Sequence, residues 1–375
     1  MKFNQLGLSQ PVLAAIEAAG YTSPTPIQSK AIPPVLNKRD VFACAQTGTG
    51  KTAAFAIPML ELLQLEPKND NNIKALVLTP TRELALQIEE NCLTYGKNLT
   101  LKIKSIFGGV SQVPQVAALQ KGIDILIATP GRLLDLMQQG YVHLSDLRIL
   151  VLDEADRMLD MGFVNDVKKI VAKLPVKRQT LLFSATIPED IRKLANAFLR
   201  NPEEISVNPV SSTADTVKQS VYFVDKKEKA GLLAQLLHAN TRSRSLVFTR
   251  TRHGADRLVK QLGRAGIQAA AIHGSKSQSA RQKALEDFKN SRIFVLVATD
   301  IAARGIDIDE LPRVVNYELP EVPETYVHRI GRTGRAGLSG EAISLCDTEE
   351  MKSLKGIQKL IGKQLPEGKI TLTEV

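Results

Sequence analysis

The sequence predicts an α/β chain of two tandem domains, each a mostly parallel sheet flanked by helices. Three observations predict it. Strand-like apolar runs alternate with helix-like stretches along the whole chain, the pattern of parallel βαβ units. Two pairs of those runs repeat at one spacing: Leu76-Val77-Leu78-Thr79 resembles Leu246-Val247-Phe248-Thr249, and Leu126-Ile127-Ala128-Thr129 resembles Leu296-Val297-Ala298-Thr299, each 170 residues later. Finally, 375 residues are too many for one ordinary core and suit two.

Composition narrows the setting. Hydrophobic content of 43% and charged content of 23% are those of a globular chain in water. No run of 18 apolar residues occurs, so no membrane span is expected, and Met1-Lys2-Phe3-Asn4-Gln5 lacks the apolar stretch of a secretory signal. Cys44, Cys92 and Cys346 are scattered, as are the five histidines. That argues against a zinc site, another transition metal or a disulfide framework, and suits a reducing, cytoplasmic compartment. The net charge of +10 is uneven: residues 1–217 carry 23 basic against 21 acidic residues, and residues 218–375 carry 26 against 18. A basic surplus in one half suggests a polyanionic partner there.

The elements follow in order. In Gly20-Tyr21-Thr22-Ser23-Pro24-Thr25-Pro26-Ile27-Gln28, the Gln28 amide can both donate and accept, matching the N7 and N6 edge of adenine, and Tyr21 offers a ring face. Taken alone, the segment also fits a Pro-rich turn capping a helix. Val41-Phe42-Ala43-Cys44 reads as a strand. The loop Ala45-Gln46-Thr47-Gly48-Thr49-Gly50-Lys51-Thr52 then turns into a helix, the context a phosphate loop requires. Gly48 and Gly50 let the backbone N–H groups curl toward phosphates, Lys51 supplies a cation, and Thr52 a hydroxyl for magnesium. Ala45 stands in place of the usual first glycine. Ile149-Leu150-Val151-Leu152 reads as a buried strand delivering Asp153-Glu154-Ala155-Asp156, with Asp153 to hold the metal and Glu154 to orient or deprotonate a water.

The second copy lacks this chemistry. Residues 170 beyond Lys51 fall in Ser220-Val221-Tyr222-Phe223, and its strand Arg313-Val314-Val315-Asn316-Tyr317 does not lead into paired acids. One nucleotide site per chain is therefore expected, in a first domain spanning residues 1–207. A linker at 208–217, rich in Asn, Pro, Ser and Thr, leads to a second domain at 218–375. In His328-Arg329-Ile330-Gly331-Arg332-Thr333-Gly334-Arg335, Arg332 and Arg335 are three apart, on one face if helical, and could stabilise the leaving phosphoryl group. A solvated basic helix or an RNA contact reads the same way. Met351, Leu354, Ile357, Leu360 and Ile361 recur at helical spacing and are expected to pack on the second domain.

With Pro80-Thr81-Arg82-Glu83-Leu84-Ala85, Gly108-Gly109, Thr129-Pro130-Gly131-Arg132, Ser184-Ala185-Thr186 and Ala302-Ala303-Arg304-Gly305-Ile306-Asp307 added in this order, the chain resembles the DEAD-box RNA helicases over almost its whole length. The wording of 246–255 looks most like the bacterial RhlE-type subgroup. Tyr21 stands where phenylalanine is more usual, and Ser275 and Ser279 where related sequences often differ. The resemblance implies two RecA-like domains, ATP with Mg2+, and ATP-dependent local unwinding of RNA. It places Arg82, Gly109, Thr129 and Arg132 on an RNA path in the first domain. Thr249, Gly274, Gln278, Arg281 and Thr299 continue that path in the second. Asp307 would reach the ATP ribose, and Asp156, Ser184, Thr186 and His328 would link hydrolysis to domain closure. Single-stranded RNA or a short duplex is the expected partner, bound by a monomer away from membranes. With no Trp and 5% aromatics, recognition should run through phosphates and sugars, independent of sequence.

Overall fold

The computed structural model describes residues 2–45, 48–65, 72–207, 217–239, 243–303, 311–334 and 340–368. The chain divides into two compact units, Met1–Asn208 and Pro209–Val375. The first unit holds a seven-stranded sheet of β1 (Val41–Ala45), β2 (Ala75–Leu78), β3 (Ile103–Ile106), β4 (Ile125–Ala128), β5 (Ile149–Leu152), β6 (Gln179–Ser184) and β7 (Glu203–Val207). Their spatial order is β3-β4-β2-β5-β6-β1-β7, with every pairing parallel.

Continuous apolar strands arise because both sheet faces are covered. Ala75 and Val77 join one core with Ile149 and Val151, while Leu76 and Leu78 join another with Leu150 and Leu152. Alternate side chains of one strand thus serve opposite layers. The helix Lys51–Gln64 lies in the first of these cores, where Phe55 meets Phe183 of β6 with ring centroids 5.4 Å apart.

The second unit repeats the scheme with β8 (Val217–Phe223), β9 (Ser245–Thr249), β10 (Ala269–Ile272), β11 (Val295–Thr299), β12 (Arg313–Asn316) and β13 (Gly340–Cys346). Their order, β10-β11-β9-β12-β13-β8, matches the first six strands of the other sheet position by position. The repeat seen in the sequence is therefore a repeat of topology: β2 and β9 open at Ala75 and Ser245, β4 and β11 at Ile125 and Val295, the same 170 residues apart.

Two expectations need adjusting. Val217, assigned to the linker, opens β8 and pairs with Gly340, because Val217-Lys218-Gln219-Ser220-Val221 alternates in and out of the core; the rest of that linker lies outside the described residues. Of the C-terminal stripe, Leu354, Ile357 and Ile361 are buried against Tyr326, Val327 and Ile330, whereas Met351 and Leu360 remain exposed at 38% and 37%. An eleven-residue helix has room for one narrow stripe, and those two flank it. Among the described residues no helix is long and apolar enough to cross a membrane.

Candidate active site

In parallel sheets, ligands are met at the carboxyl ends of the strands, and the candidate residues of the first unit sort along that edge. β5, β6 and β1 are consecutive in the sheet, and their ends carry Asp153-Glu154, Ser184-Ala185-Thr186 and the loop to Lys51. β3, β4 and β2, also consecutive, end at Gly108-Gly109, Thr129 and Arg82. The nucleotide candidates and the nucleic-acid candidates thus occupy adjoining halves of one edge.

Gly48 and Gly50 both take left-handed backbone, with φ of +81° and +91°. That curl delivers Lys51 as the first residue of its helix, where the N-terminal dipole favours an anion. Lys51 is 6% exposed and its Nζ has no hydrogen-bond partner among the described residues. Burial lowers its pKa, opposed by the nearby Asp153 and Asp156 carboxylates. Thr52, the next residue, is half-buried. Asp153 is 2% exposed, and burial pushes its carboxyl up to about 6 against the pull of Lys51 and Arg157. A buried ammonium without an acceptor and a carboxylate penalised by burial fit a phosphate chain with a divalent cation, which would satisfy both.

Gln28 is engaged within the first unit. It is fully buried; its Oε1 accepts from the Thr25 N–H at 2.9 Å, and its Nε2 donates to the Gly50 carbonyl at 3.2 Å. This amide holds the end of the phosphate loop, and a Cβ on Gly50 would collide with it. Tyr21 is 37% exposed, its hydroxyl 3.0 Å from that of Tyr95. Gln46 and Thr47 lie outside the described residues.

Asp156 is consumed within its own unit. Its Oδ2 accepts from Ala185 N at 3.1 Å, Thr186 N at 2.9 Å and Thr186 Oγ1 at 2.9 Å, and Ser184 Oγ donates to the Thr186 carbonyl at 2.7 Å. The end of β5 is thereby tied to the end of β6. Glu154 sits in left-handed backbone (φ +52°, ψ +52°), an uncommon state for a non-glycine residue, and its carboxylate pairs with Arg157.

On the nucleic-acid half, capping places the side chains. Thr81 caps its helix by accepting from Leu84 N, which makes Arg82 the first helical residue. Thr129 precedes Pro130 at the start of the helix that presents Arg132, whose Nη2 donates to the Val110 carbonyl at 3.2 Å. Gly109 has φ of +73°, and a Cβ there would run into the Arg82 guanidinium. Arg82, Gly109 and Arg132 are thus one packed group.

The second unit repeats that half. β10, β11 and β9 are consecutive and lead to Gly274, Thr299 and Thr249. The loop bearing Gly274 is held from the helix Arg252–Arg264: Asp256 Oδ1 lies 3.1 Å from His273 and 2.9 Å from Lys276, and Arg252 donates to Ser275 Oγ at 2.8 Å. Ser277 caps the next helix, making Gln278 its first residue, with Arg281 one turn on.

The other half of this edge contains an internal ion cluster that the sequence did not reveal. Lys229 opens the helix after β8, the topological place that Lys51 holds after β1, and is 1% exposed. Its Nζ meets Asp347 at 3.0 Å, the Leu345 carbonyl at 3.1 Å and Glu350.

The arginine segment also departs from expectation. Its helix is Pro323–Ile330 and closes at Gly331, so Arg332 lies beyond it, and the helical argument for a shared face with Arg335 does not apply. Arg332 is 7% exposed and its carbonyl accepts from Leu311 N at 3.0 Å; Arg335 and Asp307 lie outside the described residues. Arg329, the one arginine of the three given no role, is 2% exposed. It grips Asp300 with two donors at 2.6 and 2.8 Å, donates to Asn316 Oδ1 and the Glu318 carbonyl at 3.1 and 2.6 Å, and lies 4.9 Å from the Phe248 ring centroid. Identical spacing of the three arginines hid which one is structural. His328, beside it, is half-buried.

Comparison with known proteins agrees with this arrangement. The DEAD/DEAH box helicase family model matches residues 25–194, and the helicase conserved C-terminal domain matches 228–337. The chain is 46% identical to the DEAD-box ATP-dependent RNA helicase RhpA of Helicobacter pylori, over 97% of this chain and 73% of that one. The chain belongs to the DEAD-box helicase family. Within that family it is also 44% identical to CshA of Streptococcus pneumoniae, over 97% of this chain and 69% of the relative. The structure of S. cerevisiae Dbp5 bound to RNA and ADP BeF3 superposes with a TM-score of 0.88 at 33% identity, covering 97% of this chain and 95% of that one. Two parallel-sheet units are thus the tandem RecA-like fold of DEAD-box helicases.

Proposed function

We propose that this chain is an RNA-stimulated ATPase that closes two domains on RNA, locally unwinds short duplexes, and releases RNA on hydrolysis. The observation that carries it is the divided edge of the first sheet, where buried Asp153 and Lys51, whose Nζ has no hydrogen-bond partner among the described residues, adjoin the Arg82–Gly109–Arg132 group. Gly48, Thr49, Gly50 and Lys51 cradle the phosphates; Thr52 and Asp153 are the ligands that would hold magnesium, which neutralises phosphate charge when bound. Glu154 orients a water whose oxygen attacks the γ-phosphorus as the bond to ADP breaks, and takes up its proton. Arg335, with Arg332, stabilises the charge on the departing phosphate, and Asp307 meets the ribose. Gln28 and Tyr21 read the base once the Gln28–Gly50 contact is exchanged for ligand.

RNA lies along Arg82, Gly109, Thr129 and Arg132 on one domain and along Thr249, Gly274, Gln278, Arg281 and Thr299 on the other. ATP and RNA each prefer the closed state and so favour one another's binding. Asp156, Ser184, Thr186 and His328 report hydrolysis to that closure. The working form is a cytoplasmic monomer, and the 246–255 wording supports an RhlE-type placement.

The test is ATP turnover against single-stranded RNA, duplex RNA and matched DNA at several salt concentrations. RNA alone should stimulate, with affinity falling steeply as salt rises. Equal stimulation by duplex DNA would make the chain a DNA-directed ATPase, and no turnover at all would leave an RNA-binding scaffold. Gly109→Ala is a second check. The added methyl meets Arg82 in left-handed backbone, so RNA affinity should fall on the order of tenfold, about 1.4 kcal/mol. An unchanged RNA titration would remove Gly109 from the path.

A further inference from the structure

We infer that Arg157 is a latch on Glu154, a positioning residue that engages the water-orienting carboxylate until RNA-driven closure releases it. The inference rests on the ATPase reading above. Glu154 and Arg157 stand at i and i+3 across the first turn of the helix Ala155–Asp160, and Nη1 of Arg157 meets Oε2 of Glu154. Both side chains are nearly sealed from solvent, at 5% and 7% exposure. The backbone prepares the contact: Arg157 N donates to the Glu154 carbonyl and to Asp156 Oδ1, both at 3.0 Å. Glu154 itself is held in left-handed backbone, which is unfavourable for a non-glycine residue and persists only where its surroundings enforce it.

Among the neighbouring acids, Glu154 is the one whose carboxylate meets the Arg157 guanidinium directly, while Asp153 feels its charge through space. Asp156 gives one oxygen to Ala185 and Thr186 and the other to the Arg157 N–H, and Asp153 Oδ1 accepts the Glu154 N–H at 3.0 Å. Lys51, by contrast, has no hydrogen-bond partner among the described residues. The resting first unit is therefore arranged to take phosphate but not to hydrolyse it. A carboxylate oxygen that accepts a guanidinium donor has its charge neutralised and a lone pair occupied, and both weaken its draw on a water proton. Separating a buried pair is unfavourable unless new partners form, so release waits for a state that supplies them.

The experiment compares ATP turnover without RNA and at saturating single-stranded RNA in the wild type, Arg157→Gln and Arg157→Lys. Arg157→Gln should raise the RNA-free kcat on the order of tenfold, the scale of a coupling between two sites. The KM for ATP should change little and the stimulation by RNA should shrink. Arg157→Lys, which keeps the charge but loses the planar fork, should show a smaller rise. A merely structural role predicts a lower melting temperature without a gain in kcat, so a raised RNA-free kcat at an unchanged melting temperature separates the latch from it. Should the glutamine variant not fold, the lysine variant decides. An RNA-free rate that is unchanged or lowered in a folded variant overturns the latch alone. A wild-type rate that RNA does not raise overturns the ATPase reading and the latch with it.

Discussion

Glu154→Gln is expected to cut ATP turnover by about 10²–10⁴ while leaving ATP and RNA bound together, the contribution usual for a positioned general base. The substitution keeps the side chain's size at a position 4% exposed, so packing around β5 survives. It removes the charge that draws the proton from water, and Lys51 and Asp153 are untouched. Single-turnover hydrolysis and RNA dissociation in the same variant check it. Rapid loss of RNA despite blocked hydrolysis would count against a clamp that opens only after the phosphate is cleaved.

Arg335→Ala should lower turnover further, by roughly 10³–10⁵, the range of an arginine that meets the departing phosphoryl charge. ATP binding should be spared, because the phosphate loop belongs to the first unit and keeps Lys51. Arg332→Ala is the informative companion. The Arg332 residue is only 7% exposed, so truncating its side chain should also lower the melting temperature. Normal hydrolysis by Arg335→Ala would end its assignment as the finger.

Much of this was legible in the sequence because parallel sheets write themselves plainly. A strand buried on both faces must be apolar throughout, so Ala75–Leu78, Ile125–Ala128 and Ile149–Leu152 stand out as short uninterrupted runs. Their ends locate Asp153, Thr129 and Arg82 without further help. What could not be read were contacts made by side chains with two or more chemically equal options. Gln28 was placed beside the phosphate loop, but an amide serves adenine and a Gly50 carbonyl equally well. Arg329, Arg332 and Arg335 share one spacing, and only the position of Asp300 reveals that Arg329 is the buried tie. The latch was invisible for the same reason: three residues after Glu154, Arg157 reads as an ordinary helical ion pair.

Lys229 shows how a duplicated scaffold can divide its labour without changing shape. Each sheet places a buried lysine at the first turn after the corresponding strand, Lys51 after β1 and Lys229 after β8. In the second unit Asp347 and Glu350 answer that ammonium permanently, so the carboxylates of the chain stand in for a bound anion and cannot depart. In the first unit Asp153 and Asp156 act on Lys51 only through space, and among the described residues none accepts a hydrogen bond from its Nζ. Under the proposed ATPase cycle, one half of the chain carries its anion permanently, and the other would exchange one in every round.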